Sequence, residues 1–286
     1  MKKKTKELIS TIIVILLALI FGTATQDKTQ ASKNTLFEAS GDLNVYYIDV
    51  GQADSILIIN QDKSMLIDAG NNEDGKQIVE FIKDKGITRL NYVIGTHLHE
   101  DHIGGLDDVI NEFEIENILL PDITTNTKTF EDVIDAIANN NLEITAPDVG
   151  DKFEFGENNF EIKSTIIDKS NLNLASLVIR LEFGNTSFLF MGDAENENEK
   201  SCSWEKTTVL KVGHHGSNTS SSLSFLKQVQ PEISVIMVGE DNDYGHPKSE
   251  ILKRLEKINT QIYRTDQDGT ILITSDGNQC KVQTEK

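Results

Sequence analysis

Cysteine and basic residues are both scarce in this chain of 286 residues. The two cysteines, Cys202 and Cys280, are too few for a disulfide framework, although they would be able to pair in an exported protein. Lysine and arginine number 27 against 46 aspartates and glutamates, so the formal net charge is −19. Because an acidic surface repels phosphates, this composition argues against a general DNA-binding protein, and we interpret the acidity as a solvated surface.

Long apolar runs are also rare, and the chain has no series of them that would form a multi-helix membrane channel. The run at residues 8–21 follows four lysines and precedes small and polar residues, which is the order of a secretory signal. It is shorter than the about 20 apolar residues of a spanning helix, but it would also serve as an anchor. We predict a signal peptide or N-terminal membrane anchor at residues 1–26, a linker at 27–41 and a folded domain at 42–286. The protein would then be bacterial, and either secreted or membrane-anchored on the extracytoplasmic side.

Strand and helix patterns are interspersed through the predicted domain. Periodicity predicts helices at residues 75–85, 129–138 and 247–258, with another beginning near 103. Strands are predicted at residues 43–50, 55–59, 65–68, 90–95, 117–120, 160–166, 176–183, 187–191, 207–212, 233–238, 263–265 and 270–274. We therefore expect an α/β fold in which mixed sheets are flanked by helices.

Half of the six histidines lie within six residues of each other. Residues 96–105 read THLHEDHIGG, follow a predicted buried strand, and contain His97, His99, Asp101 and His102. Imidazole and carboxylate groups are the ligands that borderline divalent metals prefer. Residues two apart in such a turn face the same way, so His97 and His99 would hold one metal while Asp101 and His102 turn toward a second. The alternative, a set of unrelated surface histidines, is weak against this concentration.

The other three histidines and one aspartate also follow predicted strands. Asp193 ends the run FMGD, His214 and His215 lie between glycines, and His246 lies in the run YGHP. Alone, Asp193 would be read as a helix cap and His246 as a structural hydrogen-bonding residue. If the strands share one sheet edge, these groups surround a single cleft. Two cations there would lower the pKa of a bridging water and give hydroxide at neutral pH, while the remaining histidines would assist a leaving group or bind an anionic oxygen.

The run HLHEDH at residues 97–102 is the signature of the metallo-β-lactamase superfamily. Six further motifs resemble, in order, the hydrolase domain of ComEC-type DNA-uptake proteins, and the similarity covers about residues 43–275. These motifs are residues 48–55, 66–70, 176–178, 191–193, 213–217 and 244–247. The resemblance implies a four-layer αββα sandwich with a metal centre at one edge of the sheets. It also implies a metal-dependent hydrolase, often of phosphodiesters.

One departure from the superfamily pattern concerns the metal ligands. The superfamily usually supplies another histidine after the first cluster, but no histidine lies between His102 and His214. The ComEC-type branch characteristically lacks it too, and has a region like residues 171–177 in that place. One metal would then be held weakly, or by Asn173, Ser176 or water. Since the chain also lacks a channel, it resembles an exported, stand-alone relative.

These observations predict an exported hydrolase with two divalent cations, zinc by default and manganese as the alternative. The expected metal ligands are His97, His99, Asp101, His102, Asp193 and, in preference to its neighbour, His215. The expected catalytic residues are Asp101, His214 and His246, of which the two histidines would contact the substrate or assist the leaving group.

The expected substrate is a phosphoester or phosphodiester, from nucleic acid or from a cell-wall or phospholipid component. Secreted phosphocholine esterases share the domain of this branch, which keeps a phosphocholine-type substrate open. Two alternatives remain at this point. One is hydrolysis of a lactam, lactone or thioester by the same hydroxide, and the other is a non-catalytic cell-surface binding module related to DNA uptake.

Overall fold

The computed structural model describes Phe37 and residues 41–286. The predicted signal or anchor segment and nearly all of the predicted linker lie outside the described residues, so export and anchoring stay predictions. Among the residues described, no helix combines the length and the apolar character needed to cross a membrane.

Two mixed β-sheets form the centre of the described domain. The first has the strand order β15-β14-β1-β2-β3-β4-β5-β6, is antiparallel from β15 to β3 and is parallel from β3 to β6. Its strands are β1 Leu43–Tyr47, β2 Ile56–Asn60, β3 Lys63–Ile67, β4 Arg89–Ile94, β5 Glu114–Leu119, β6 Ile144–Thr145, β14 Ile271–Ser275 and β15 Cys280–Thr284.

The second sheet has the order β13-β12-β11-β10-β9-β8-β7. Strands β10 to β13 run parallel, whereas β7 to β10 form an antiparallel meander. Its strands are β7 Lys152–Phe155, β8 Asn158–Ser164, β9 Val178–Phe183, β10 Thr186–Phe190, β11 Val209–Lys211, β12 Ile233–Ile236 and β13 Gln261–Arg264.

Helices cover the outer faces of both sheets. Helix α3 contacts both α1 and α4, and α1 packs on the first sheet, where the Tyr46 and Phe81 ring centroids are 5.5 Å apart. Helices α6 and α7 bury apolar residues with the outer face of the second sheet. The helices are α1 Gly75–Asp84, α2 Glu100–Ile103, α3 Leu106–Glu112, α4 Lys128–Asn139, α5 Asn196–Ser201, α6 Leu223–Val229, α7 Ser249–Lys257 and α8 Thr265–Asp268.

The core between the sheets comes from alternate residues of facing strands. In β1, Val45 and Tyr47 join the cluster that contains Phe160, Phe188 and Phe190 of the second sheet, while Tyr46 faces α1. Because both faces of each sheet are buried, the central strands are nearly continuous apolar runs instead of alternating ones. This arrangement confirms the predicted α/β fold class with an αββα sandwich.

The elements that the sequence patterns did not predict are short or polar. Strand β15 forms an edge of the first sheet and is only partly buried, so it has no apolar run to reveal it. Helix α6 begins after Ser222, whose side chain accepts a hydrogen bond from the Phe225 N–H, but it is only seven residues long. Thr265, predicted to end a strand, instead begins α8 with its hydroxyl hydrogen-bonded to both backbone groups of Val238.

The two cysteines are free thiols, and Cys280 lies in β15. Burial raises the pKa of the Cys280 thiol from 9.0 to about 11, so less of it is thiolate at neutral pH. We expect its alkylation by iodoacetamide at pH 8 to be about 10- to 100-fold slower than that of an exposed cysteine, and to accelerate as the pH rises toward 11. Mass spectrometry of Cys280 over time measures this rate, and the urea-unfolded chain is the control. Equal rates in folded and unfolded protein would contradict the expectation.

Candidate metal centre

The predicted site residues meet where strands of both sheets end. Strand β4 leads into the turn that carries His97 and His99, and α2 follows with Asp101 and His102. Strand β10 is followed by Asp193, and β11 by a 3-10 turn, Gly213–Gly216, that carries the two neighbouring histidines. The loop after β12 adds His246. Because the carboxyl ends of parallel strands lie at one sheet edge, residues distant in sequence converge there.

Four side chains form the most compact group of this site. Asp101, His102, Asp193 and His215 each place one ligand atom within 4.8 Å of the other three. The Asp193 Oδ1 atom lies 3.2 Å from His102 Nε2 and 3.6 Å from His215 Nε2. These last three atoms are buried, and none has a hydrogen-bond partner within the described part of the chain. Buried polar atoms that converge without partners fit a cation, and nitrogen with carboxylate oxygen is a donor set for a divalent metal.

Two of these histidines are oriented by groups behind the site. The Nδ1 of His102 lies 2.8 Å from Asp68 Oδ2, and Asp68 itself accepts hydrogen bonds from the backbone N–H and the hydroxyl of Thr96, both at 2.7 Å. The Nδ1 of His215 lies 2.9 Å from the Met237 carbonyl oxygen, which only accepts, so Nδ1 carries the proton. In both rings Nε2 faces the cluster, which is the arrangement by which outer partners orient metal ligands.

A wider set of side chains surrounds the other oxygen of Asp193. Asp193 Oδ2 lies 4.0 Å from His97 Nε2 and 3.6 Å from His214 Nε2, and His97 Nε2 lies 3.0 Å from His99 Nδ1. Burial is the main cause that holds the pKa of His97 well below its usual range, and burial also lowers the pKa of His99. Both rings are therefore neutral at pH 7, as metal binding requires.

The carboxylates change the pKa of His102 in the opposite direction. Burial alone would lower it, but Asp193, Asp68 and Asp101 outweigh burial, and the pKa of His102 stands well above its usual value. Such a concentration of negative charge around one imidazole is a site that favours positive charge.

A buried ion pair lies directly behind the ligands. Lys211 in β11 and Asp54 in the loop before β2 pair with each other, and both side chains are almost completely buried. The Lys211 ammonium also donates to the Gly192 carbonyl oxygen at 3.0 Å. Asp54 Oδ1 lies 3.4 Å from His215 Nδ1. The ion pair therefore contacts both the backbone next to Asp193 and the ring of His215.

The open side of the site is a cleft of about 350 Å³. Besides the ligand candidates, it is lined by Gln52, Asn173, Tyr244 and His246. Tyr244 is largely exposed and stacks on His246, with ring centroids 5.7 Å apart. Burial, followed by the nearby His214, lowers the pKa of His246 to about 4, so this ring is neutral at pH 7.

A family model described as the metallo-beta-lactamase superfamily matches residues 48–240, which is more than half of the chain. The chain belongs to this superfamily. Among curated proteins, the superfamily domain is 31% identical over 255 residues to ComE operon protein 3 of Bacillus subtilis, covering 81% of this chain and 33% of that protein. It is 29% identical to Recombination protein 2 of Haemophilus influenzae (82% and 29% covered) and 29% identical to Competence protein ComA of Neisseria gonorrhoeae (78% and 31% covered). The predicted resemblance to ComEC-type proteins is confirmed, and the chain spans about a third of the length of these bacterial relatives.

Solved structures show the superfamily fold at low sequence identity. The metallo-beta-lactamase fold protein YhfI of Bacillus subtilis matches with a TM-score of 0.54 and 12% identity, covering 84% of this chain and 99% of that one. CmlA of Streptomyces venezuelae, a diiron beta-hydroxylase, matches with a TM-score of 0.54 and 13% identity, covering 80% and 53%. At this identity the likeness concerns the fold alone.

All eight residues of the predicted site therefore lie in one region, but their roles stay predictions. The structure adds Asp54, Asp68 and Lys211, which the residue patterns did not single out as site residues. The first two lie within the motifs at residues 48–55 and 66–70, so the motifs carried that signal. Ser176, considered as a replacement ligand, accepts a hydrogen bond from the Asp193 backbone N–H at 3.1 Å and so positions that loop.

Proposed function

We propose that this protein is a metal-dependent hydrolase of phosphodiester bonds. The charge balance of the site is the observation that carries the proposal. Four carboxylates, those of Asp54, Asp68, Asp101 and Asp193, surround His102, and a fifth, that of Glu195, contacts His214. Among the described residues, Lys211 is the one ammonium group in contact with the first four. With these groups ionised and the histidines neutral, the site carries four negative charges, which two divalent cations would balance. The metal-loaded cleft would then accept an anionic substrate that the metal-free site repels.

Asp193 would contribute to both ligand sets, with one carboxylate oxygen to each cation. Asp101, His102, Asp193 and His215 would hold one divalent cation, and His97, His99 and Asp193 would hold the other. When bound, such cations lower the pKa of water and neutralise developing negative charge. Zinc is the first expectation for this donor set, and manganese the second because oxygen ligands are numerous.

The remaining groups of the cleft would bind the substrate. His246 is neutral, and its buried Nδ1 has no hydrogen-bond partner within residues 41–286. It would therefore donate a hydrogen bond to an anionic phosphate oxygen or to the leaving group. The side chain of Asp101 is partly exposed to the cleft and would accept the proton of the attacking water.

Nucleic acid is the proposed source of the phosphodiester. The curated relatives carry names that refer to competence and recombination, and this supports a nucleic-acid substrate. Because the protein carries a net charge of −19, we expect weak binding to duplex DNA as a whole and cleavage of a strand that reaches the cleft.

Replacing His99 by alanine tests this function. Hydrolysis of bis(p-nitrophenyl) phosphate by the manganese- or zinc-loaded protein should fall at least about 100-fold, the upper end of what loss of an outer metal partner costs. The exposed Glu80→Ala variant is the control for preparation and stability.

A substrate panel then separates the alternatives. It compares single-stranded DNA, p-nitrophenyl phosphate, p-nitrophenylphosphorylcholine, nitrocefin and a thioester. Faster turnover of the last two would replace the proposal with carbonyl hydrolysis. A metal-loaded protein that binds DNA and turns over nothing would replace it with a binding module.

A further inference from the structure

The cation site around His97 and His99 has few donors in the first half of the chain. Those two histidines and Asp193 supply three ligands, and the one histidine in the segment that separates them from Asp193, His102, faces the other oxygen of Asp193. Within that segment, the 3-10 turn Leu172–Ala175 brings Asn173 to the site, where its amide nitrogen donates to Glu195 Oε1 at 3.3 Å and its buried amide oxygen has no hydrogen-bond partner among the described residues. Asn173 therefore offers an oxygen donor and no nitrogen donor. A further nitrogen donor must come from another part of the chain.

His214 occupies the corresponding position on the other side of Asp193. Oxygen Oδ1 of Asp193 faces one pair of histidines, with His102 Nε2 at 3.2 Å and His215 Nε2 at 3.6 Å. Oxygen Oδ2 faces a second pair, with His97 Nε2 at 4.0 Å and His214 Nε2 at 3.6 Å. Each oxygen of the carboxylate thus has the Nε2 atoms of two histidines near it. His214 occupies the same position relative to Oδ2 as His215 does relative to Oδ1.

The orientation of the His214 ring is that of a ligand. Its Nδ1 lies 3.0 Å from Thr219 Oγ1 and 3.4 Å from Glu195 Oε1, so the carboxylate favours a proton on Nδ1. Nε2 is then the lone-pair nitrogen; it lies 3.6 Å from Asp193 Oδ2 and 3.4 Å from the Asn173 side-chain amide nitrogen, a contact that a bound cation would replace. A carboxylate behind an imidazole is the usual outer partner of a metal-bound histidine. Glu195 is itself held by the Asn171 side-chain amide at 2.9 Å.

The backbone at His214 and His215 has an unusual conformation that also fits a role for both residues as ligands. His214 has φ 50° and ψ 49°, and His215 has φ 49° and ψ 24°, so both adopt the left-handed conformation that residues with a Cβ disfavour. Each such residue costs on the order of 1–2 kcal/mol, and strain of this kind is retained where a site needs it. The double reversal sends one ring to each oxygen of Asp193.

We propose that His214 is the third histidine ligand of the cation held by His97 and His99, and that Glu195 is the residue that positions it. This role replaces the substrate contact predicted for His214 from the sequence. The inference rests on the proposed metal-dependent function, but it concerns the number and affinity of bound ions, so it stands or falls separately from the identity of the substrate.

Counting ions in matched variants tests the proposal. The purified protein is stripped with chelator and titrated with Co²⁺ and Zn²⁺, with calorimetry for stoichiometry and affinity and with the visible Co²⁺ spectrum for coordination. Wild type should bind two equivalents. His214→Gln should bind one equivalent as wild type does and the other more than about 100-fold more weakly, while Glu195→Gln should weaken that same equivalent about 10- to 100-fold.

The His246→Ala variant is the matched control, because it removes a histidine from the same cleft, where its ring centroid lies 5.8 Å from that of His214. It should retain two equivalents and the wild-type Co²⁺ spectrum. Thermal unfolding of the metal-free proteins checks that each variant is folded. Two equivalents of unchanged affinity in His214→Gln would overturn the proposal, as would a wild type that binds a single ion. Failure to cleave phosphodiesters, with two ions bound, would overturn the proposed function and leave this inference intact.

Discussion

Replacing Lys211 by methionine is expected to lower the free energy of unfolding by about 3–5 kcal/mol, the cost of removing one partner from a buried ion pair. The Lys211 ammonium group is completely buried, pairs with Asp54 and donates to the Gly192 carbonyl oxygen. Methionine keeps the length of the side chain but leaves a buried carboxylate and a carbonyl without their donor. The loss is larger than that of a surface pair because water cannot replace the missing ammonium.

Urea denaturation of the metal-free protein measures this change. Lys163→Met is the matched control, since Lys163 also pairs with carboxylates, Glu161 and Glu205, but those partners are partly exposed. We expect the control to cost less than about 1 kcal/mol. The double variant Asp54→Asn with Lys211→Met should recover about half of the loss, because neither charge remains buried alone. A Lys211→Met protein as stable as the control would contradict this account.

Replacing Asp193 by asparagine is expected to have the largest effect on activity. Its two carboxylate oxygens face different pairs of histidines, so one substitution acts on both proposed cations. An amide keeps the shape but loses the negative charge and offers one oxygen in place of two. If each cation loses about 100-fold in affinity or activity and the two losses add in free energy, phosphodiester hydrolysis falls on the order of 10⁴-fold.

Hydrolysis of bis(p-nitrophenyl) phosphate and the bound metal are measured in the same sample. Asp62→Asn is the control, because that aspartate is 81% exposed and lies in the turn between β2 and β3. The variant should also bind less than one equivalent of metal at micromolar concentration. Turnover within about tenfold of wild type, with two ions bound, would contradict the proposed role of Asp193. The two cations would then share no ligand.

The fold was predictable where apolar patterns were long. Helices α1, α4 and α7 begin and end within two residues of their predicted bounds, because each has a buried stripe at helical spacing. Strand β15 escaped prediction, since an edge strand that is only partly buried needs no apolar run. Its pairing with β14 is a tertiary contact that leaves little trace in the local sequence.

The site was predictable in its residue types and only partly in its roles. The spacing of His97, His99 and His102 indicated metal chemistry before any fold was considered, because histidine is scarce and clustered. No pattern distinguishes His214 from His215, which are adjacent and both lie between glycines. Their left-handed backbone turns the two rings to different oxygens of Asp193, and that difference appears only in three dimensions.

The sequence by itself determined the donor chemistry of this protein: six histidines after strands, an aspartate after a Met-Gly turn, and apolar strands on which to place them. Only the tertiary structure decided how these donors are grouped. Ligand spacing along the chain carries no information on which atoms meet when they come from different strands of two sheets. The packing of the two sheets brought Lys211 against Asp54 and gave each oxygen of Asp193 its own pair of imidazoles.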